Sequence, residues 1–244
     1  MGIGTDALVL NEDGLYNVGV GRLALCLNIS GDYNTGFGYS AGQDIVTGSE
    51  NTSIGAFSGT HSSYSNTGAF GYEAISTGNN QIMIGNSAIL EIGGYAPWTE
   101  YSDARFKKNI RENIPGLEFI LALRPVSFQW DIAGLDACVG ARHPENESDF
   151  MRQSRADKEK IVYTGFLAQE VEQAAQNCGF DFSGVHAPAN DHTPWSLSYS
   201  GFVVPLVKAM QEQQKIIEEL KQQNREQAEI NRKILSELEA LKAK

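Results

Sequence analysis

The strongest constraint on this chain is a repeat near its N-terminus. Units begin "NVGVGRLA" at Asn17, "NTGFGYSA" at Asn34, "NTSIGAFS" at Asn51, "NTGAFGYEA" at Asn66 and "NQIMIGNSA" at Asn80. A spacing of 14 to 17 residues is too short for a helical repeat. It suits a short strand, a glycine where backbones approach closely, and an Asn/Ser/Thr/Gly turn, which together make one coil of a β-roll or β-helix. In such a stack each unit buries its apolar residues only against its neighbours. A flexible Gly/Ser/Asn linker would not hold Ile, Val and Phe in phase. A lone coil of this width encloses little, so the repeats are expected to close a core together with identical chains. The first residues enter the repeat without a cap, and an excerpt of a longer fibre is one reading of that.

Three compositional regimes follow one another. Residues 1–95 hold most of the 25 glycines and form the β-repeat stalk. Residues 99–198 read as a small α+β domain. There "PGLEFILALRP" predicts a short helix burying Leu117, Ile120, Leu121 and Leu123, opened by a proline and stopped before Pro125. "VSFQW" alternates as a half-buried strand does. The polar stretch from Ala133 to Lys160 reads as an excursion or mobile loop. "IVYTGFLAQEVEQAAQNCG" gives a strand from Ile161 and a helix from about Leu167 to Gly179, and "DHTPWSLSY" reads as a second loop. Residues 199–244 take up a heptad. Leu206, Gln213, Leu220, Gln227, Ile234 and Leu241 interleave with Met210, Ile217, Asn224, Asn231 and Leu238, the seam of a coiled-coil helix. The polar seam positions weaken such a coil while selecting register and partner number. The fold class is thus mixed: a β-roll or β-helix stalk, a small α+β domain and a long C-terminal coiled-coil helix, associating with identical chains.

Charge and composition exclude several functions. A net charge of -11 repels phosphate backbones, so nucleic acid is not an expected partner. Cys26, Cys138 and Cys178 lie far apart without a CxxC spacing, which signals neither disulfides nor a thiolate metal site. His61, His143, His186 and His192 are scattered and read as surface loop residues; no metal and no cofactor is expected. No run of apolar residues is long enough to insert in a membrane.

The junction between the first two regimes reads "YSDARFKK". Ser102 is a potential nucleophile and Lys107 a potential base, but a lysine takes a proton only when neutral, which demands burial or a cationic neighbour. Five residues apart, the two sit about 140° round a helix and on opposite faces of a strand. The chain must turn between them, or the lysine must come from another protomer. Equally, Ser102 or Asp103 can simply cap a solvated helix start.

"YSDARFKKNI", "LRPVSFQW", "GFLAQEVE" and "WSLSYSGFVVPLVKAMQEQ", in this order, resemble the C-terminal intramolecular chaperone domain of phage tail spikes and tail fibres. This self-cleaving family is often called peptidase S74. The likeness covers roughly residues 99 to 225, and the upstream repeats are similar to the β-roll stalks that often precede such domains. The family motif Ser-Asp-x-Arg-x-Lys falls on Ser102, Asp103, Arg105 and Lys107 without a gap. The resemblance implies Ser102 as nucleophile, Lys107 as its base, Asp103 and Arg105 in support, and a scissile bond between Tyr101 and Ser102. It also implies a homotrimer in a virion tail fibre or other extracellular fibre, and single-turnover self-cleavage after the stalk has folded. Two other readings remain: a non-cleaving trimerisation cap, and a receptor- or glycan-binding tip that uses Tyr33, Tyr39, Phe57, Tyr64 and Tyr72 as stacking platforms. The same aromatics can pack coil on coil.

Overall fold

The computed structural model describes residues 1–144 and 147–242. The first eight strands are β1 (Gly2–Ile3), β2 (Val18–Val20), β3 (Thr35–Phe37), β4 (Thr52–Ile54), β5 (Gly59–Thr60), β6 (Gly68–Phe70), β7 (Ile75–Ser76) and β8 (Ile82–Ile84). After them come α1 (Leu117–Ala122), β9 (Val126–Phe128), α2 (Ile132–Val139), α3 (Asp149–Glu159), β10 (Tyr163–Gly165), α4 (Ala168–Asn177), β11 (Val185–His186), β12 (Ser196–Leu197) and α5 (Val203–Lys242). The chain divides into two compact units. One comprises Met1–Tyr101, Ser127–Gly165 and Ala187–Trp195; the other comprises Ser102–Val126, Phe166–His186 and the segment from Ser196 onward.

Strands β1, β2, β3, β4, β6 and β8 form one parallel sheet, and β5 pairs with β7 in a second. This is a β-solenoid. Gly2, Gly19, Gly36, Ser53, Ala69 and Met83 stand in register along the sheet. The stack therefore contains a coil before Asn17, and its Asn11 Oδ1 accepts from the side-chain amides of Asn17 (2.9 Å) and Asn28 (2.7 Å). The register also corrects the fourth repeat: Thr67, not Asn66, continues the column of Asn17, Asn34 and Asn51, because its backbone N–H donates to Asn51 Oδ1 (3.1 Å).

Asparagines hold the coils together. The backbone N–H of Asn34 donates to Asn17 Oδ1 (2.8 Å) and that of Asn51 to Asn34 Oδ1 (3.0 Å). Each side-chain amide also donates to a carbonyl: Asn17 to Gly31, Asn34 to Gly48 and Asn51 to Tyr64, at 2.7 to 2.8 Å. Buried polar groups cost several kcal/mol unless paired, and here they are paired from coil to coil. A glycine column serves the opposite need. At Gly21 and Gly38, with φ of 128° and 136°, an added Cβ would lie 2.4 Å from Gly38 O and 2.8 Å from Gly55 C. Contrary to the expectation that a lone coil encloses little, the single chain fully buries Ala24, Leu25, Ala41 and Ile45. Small residues let so narrow a coil fill.

The stretch from Ala133 to Lys160, expected as an excursion or mobile loop, instead holds most of α2 and all of α3. Asp131 caps α2 through Gly134 N–H (2.8 Å), and Ser148 caps α3 through Met151 N–H (3.3 Å). The side chain buried on α3 is Arg155, so the segment carries no apolar period to read.

The second unit is organised around aromatic side chains. Phe119 is fully buried, with ring centroids 5.0 Å from Phe182 and 5.3 Å from Phe180, and Phe182 stands 4.8 Å from Phe202. Val171, Ala174 and Ala175 of α4 close this core. On α1 it is Phe119 that faces inward, whereas Leu121 is 78% exposed. Helix α5 begins in the core through Pro205 and Ala209, and its Glu212 accepts the Leu117 N–H at the start of α1 (2.8 Å). Beyond that the 40-residue helix, about 60 Å long, is exposed, including the seam residues Leu220, Ile234 and Leu238.

Asn34→Ala removes the acceptor for Asn51 N–H and the donor to Gly48 O, so unfolding of the solenoid should become easier by about 3 kcal/mol. Glu12→Ala, on the surface, should change it by less than about 0.5 kcal/mol. Thermal melts followed by circular dichroism compare the two, and equal midpoints would contradict the asparagine ladder.

Candidate functional site

The junction folds as a single tight turn. Ala104–Phe106 form one turn of 3-10 helix, with Asp103 as N-cap and Lys107 as C-cap in extended conformation (φ -98°, ψ 131°). Asp103 Oδ1 accepts the Arg105 backbone N–H (2.9 Å), and Lys107 N–H closes the turn on Ala104 O (3.2 Å). The reversal that a helix or strand could not supply is made here within five residues. Lys107 Nζ donates to Ser102 Oγ at 2.8 Å, in the same chain.

The charged side chains of the turn have separate occupations. Arg105 holds Asp103 through Nε (2.9 Å to Oδ2) and Nη2 (2.5 Å), and its guanidinium lies 5.5 Å from the Phe106 ring centre. Asp103 thus caps the turn and pairs with Arg105, while Lys107 turns to Ser102. All of residues 101–107 are exposed in the single chain. The hydrogen bonds from the Arg105 side chain, and then from its backbone N–H, hold the Asp103 carboxyl below its ordinary value.

Residues 102–180 match the Peptidase S74 family, chaperone of endosialidase. The match begins at Ser102, the hydroxyl side of the turn, and runs through α4 into the aromatic core. No curated protein and no solved structure matches the chain. Among the described residues no helix is long and apolar enough to cross a membrane.

A second cluster of charge, absent from the sequence reading, lies within the first unit. Arg155 of α3 is about nine-tenths buried and reaches Glu73 Oε2 (2.5 Å), Asp136 Oδ2 (3.3 Å) and Glu147. His143, an exposed loop residue as expected, stands between Glu73 and Asp136, at 3.3 and 3.1 Å. Glu73, His143 and Glu147 offer ligand atoms within 4.8 Å of one another, but the guanidinium already supplies the positive charge among them. His61 and His192, also expected on surface loops, stack at 4.7 Å. The available signal was Glu73 itself, an acid at the αL corner (φ 55°) that Ser40 and Phe57 occupy in earlier coils. The aromatic residues of the solenoid pack across successive coils: Tyr39, Phe57 and Tyr72 stand edge to face at 5.1 and 6.0 Å.

Asp103 is a depressed carboxylate, so its pairing contributes above the unfolded value of 3.8 and is lost as pH falls through the lower folded value. In a Ser102→Ala background, an NMR titration should find Asp103 ionising below 3.8, and Arg105→Ala should return it toward that value. An unchanged titration in Arg105→Ala would contradict the pairing.

Proposed function

We propose that the segment from Ser102 onward is an intramolecular chaperone that gathers three chains, sets the register of their solenoids, and parts from them by self-cleavage between Tyr101 and Ser102. The observation that carries this is the Ser102–Lys107 hydrogen bond at 2.8 Å, made at the first residue of the family match. One of the five points at which the chain crosses between the two compact units falls at the same bond.

The chemistry is one turnover. Lys107, as free amine, takes the Ser102 hydroxyl proton while Oγ attacks the carbonyl carbon of Tyr101. The C–N bond breaks, the proton passes to the departing nitrogen of Ser102, and an ester joins Tyr101 to Ser102 Oγ. Water then hydrolyses the ester, leaving a carboxylate on Tyr101 and the hydroxyl and a new α-amine on Ser102. Arg105 is held by Asp103, which favours a backbone amide for stabilising the oxyanion.

A lysine becomes a base at neutral pH when it is desolvated. One chain leaves Ser102 and Lys107 exposed, and the proposal assigns their burial to neighbouring chains in the trimer. The unpartnered apolar stripe on α5 supports such an assembly. Cleavage then reports completed assembly. A parallel solenoid in three chains forms slowly and is prone to slip, whereas a coiled coil nucleates quickly. Removing the helper after folding turns assembly into kinetic stability. A phage tail fibre or similar extracellular fibre is the setting that suits this order of events.

On denaturing electrophoresis the folded parent should yield two fragments split after Tyr101, while Ser102→Ala and Lys107→Met remain full length. Leu220→Asp with Ile217→Asp, which disrupts the helix stripe, should slow cleavage by at least about tenfold. Fragments from Ser102→Ala would contradict the nucleophile, and unchanged cleavage in the helix variant would contradict control by assembly.

A further inference from the structure

The proposed cut at Tyr101–Ser102 does not divide the molecule along the line that separates its compact units. Ser127–Gly165 and Ala187–Trp195 lie beyond the cut in sequence, yet they pack in the same unit as the solenoid. We infer that the C-terminal fragment stays bound to the last coils of the solenoid after cleavage, held by an ion cluster centred on Arg155, so that cutting and release are separate events. The inference rests on the cleavage reading above and extends it to the partner of the new stalk end, which is the chain's own severed fragment.

The contacts that cross the cut are numerous and specific. From the solenoid side come Glu73, which receives Arg155 and faces His143, and Ser87, whose hydroxyl donates to Asp136 Oδ2 (2.9 Å) and accepts from Arg155 Nε (3.2 Å). Around this buried centre, Arg142 pairs with Asp44 (2.6 Å) and Lys158 donates to Ile89 O (2.7 Å). From the second segment, Asn190 and Thr193 both donate to Thr77 O, at 2.8 and 2.9 Å, and His192 stacks on His61. None of these contacts depends on the peptide bond at Tyr101, and the cluster lies far from that bond in sequence.

The charge balance makes Arg155 the centre. Three carboxylates, Glu73, Asp136 and Glu147, converge on one guanidinium. Burial alone would lower the pKa of Arg155, but its hydrogen bond to Glu147 and the surrounding carboxylates outweigh it and hold the cation above its ordinary value. If the C-terminal fragment leaves, Glu73 loses its counter-ion, while Asp136 and Glu147 remain with Arg155. Buried pairs of this kind are screened weakly by salt, and breaking one by removing a partner is costly.

The test makes the cut independently of the protein's own chemistry. Gly94–Pro97, exposed in the chain, are replaced by the recognition sequence of a site-specific protease in a Ser102→Ala background. After digestion, native size-exclusion chromatography should return both fragments in one peak at moderate salt. With Arg155→Ala, which leaves three carboxylates facing one another, the affinity should fall by at least about 100-fold and the fragments should elute apart. Arg142→Ala with Lys158→Ala, which spares the buried centre, should weaken retention less. Separation of the fragments in the Ser102→Ala background alone would overturn the inference whatever the variants do, as would co-elution in a folded Arg155→Ala protein. A parent that never cuts itself shows as intact chain before protease is added, and it bears on the cleavage reading alone.

Discussion

Every coil of the solenoid satisfies its backbone and its asparagines on the coil beside it, and that nearest-neighbour dependence governs the rest of the molecule. Strands of two or three residues have no stability of their own. The Asn17–Asn34–Asn51 column and the close glycine contacts contribute only when successive coils are already in register. Such a stack gains little until several coils have formed, and its open end remains a place where pairing can slip. In the proposed function, a domain that begins at the end of the stack and carries a long helix with an exposed apolar stripe meets both needs.

The junction is where folding meets chemistry. A single 3-10 turn capped by Asp103 brings Lys107 onto Ser102, so the proposed nucleophile and base meet in one chain. They are not desolvated in it: the pair lies on the surface. The division makes sense for a reaction that must happen once and late. In the proposed reaction, local structure prepares the pair early, and assembly supplies the environment that makes the amine a base. The Arg155 cluster adds a third element, contacts that tie residues beyond the proposed cut to Glu73 and Ser87.

Much of this was legible in the sequence because it repeats. The Asn-x-Gly units, the strand from Val126, the helix after Leu167 and the C-terminal heptad each carry a period that stacking, pleating or winding imposes. The coil at Gly2–Ile3 was missed because the Asn-x-Gly start that marks the other units is not in the sequence there, and Asn66 was placed one residue out of phase because Thr67 does the same hydrogen-bonding work. Helices α2 and α3 were hidden for a different reason. Helix α3 is anchored by buried Arg155, paired with Glu73 far away in sequence, and α2 buries Asp136 beside Ile132 and pairs it with Arg155; long-range ion pairs leave no period behind. At the site, Ser102 and Lys107 were visible as a motif. The turn that joins them, and the pairing that draws Arg105 to Asp103 instead, needed coordinates.

Native mass spectrometry of the purified parent, followed by denaturing mass measurement of the same sample, tests the central claim most directly. The account predicts a complex of about three times 26.6 kDa in which every chain is present as two pieces that meet at Tyr101 and Ser102. A single intact chain of 26.6 kDa in both measurements would contradict it.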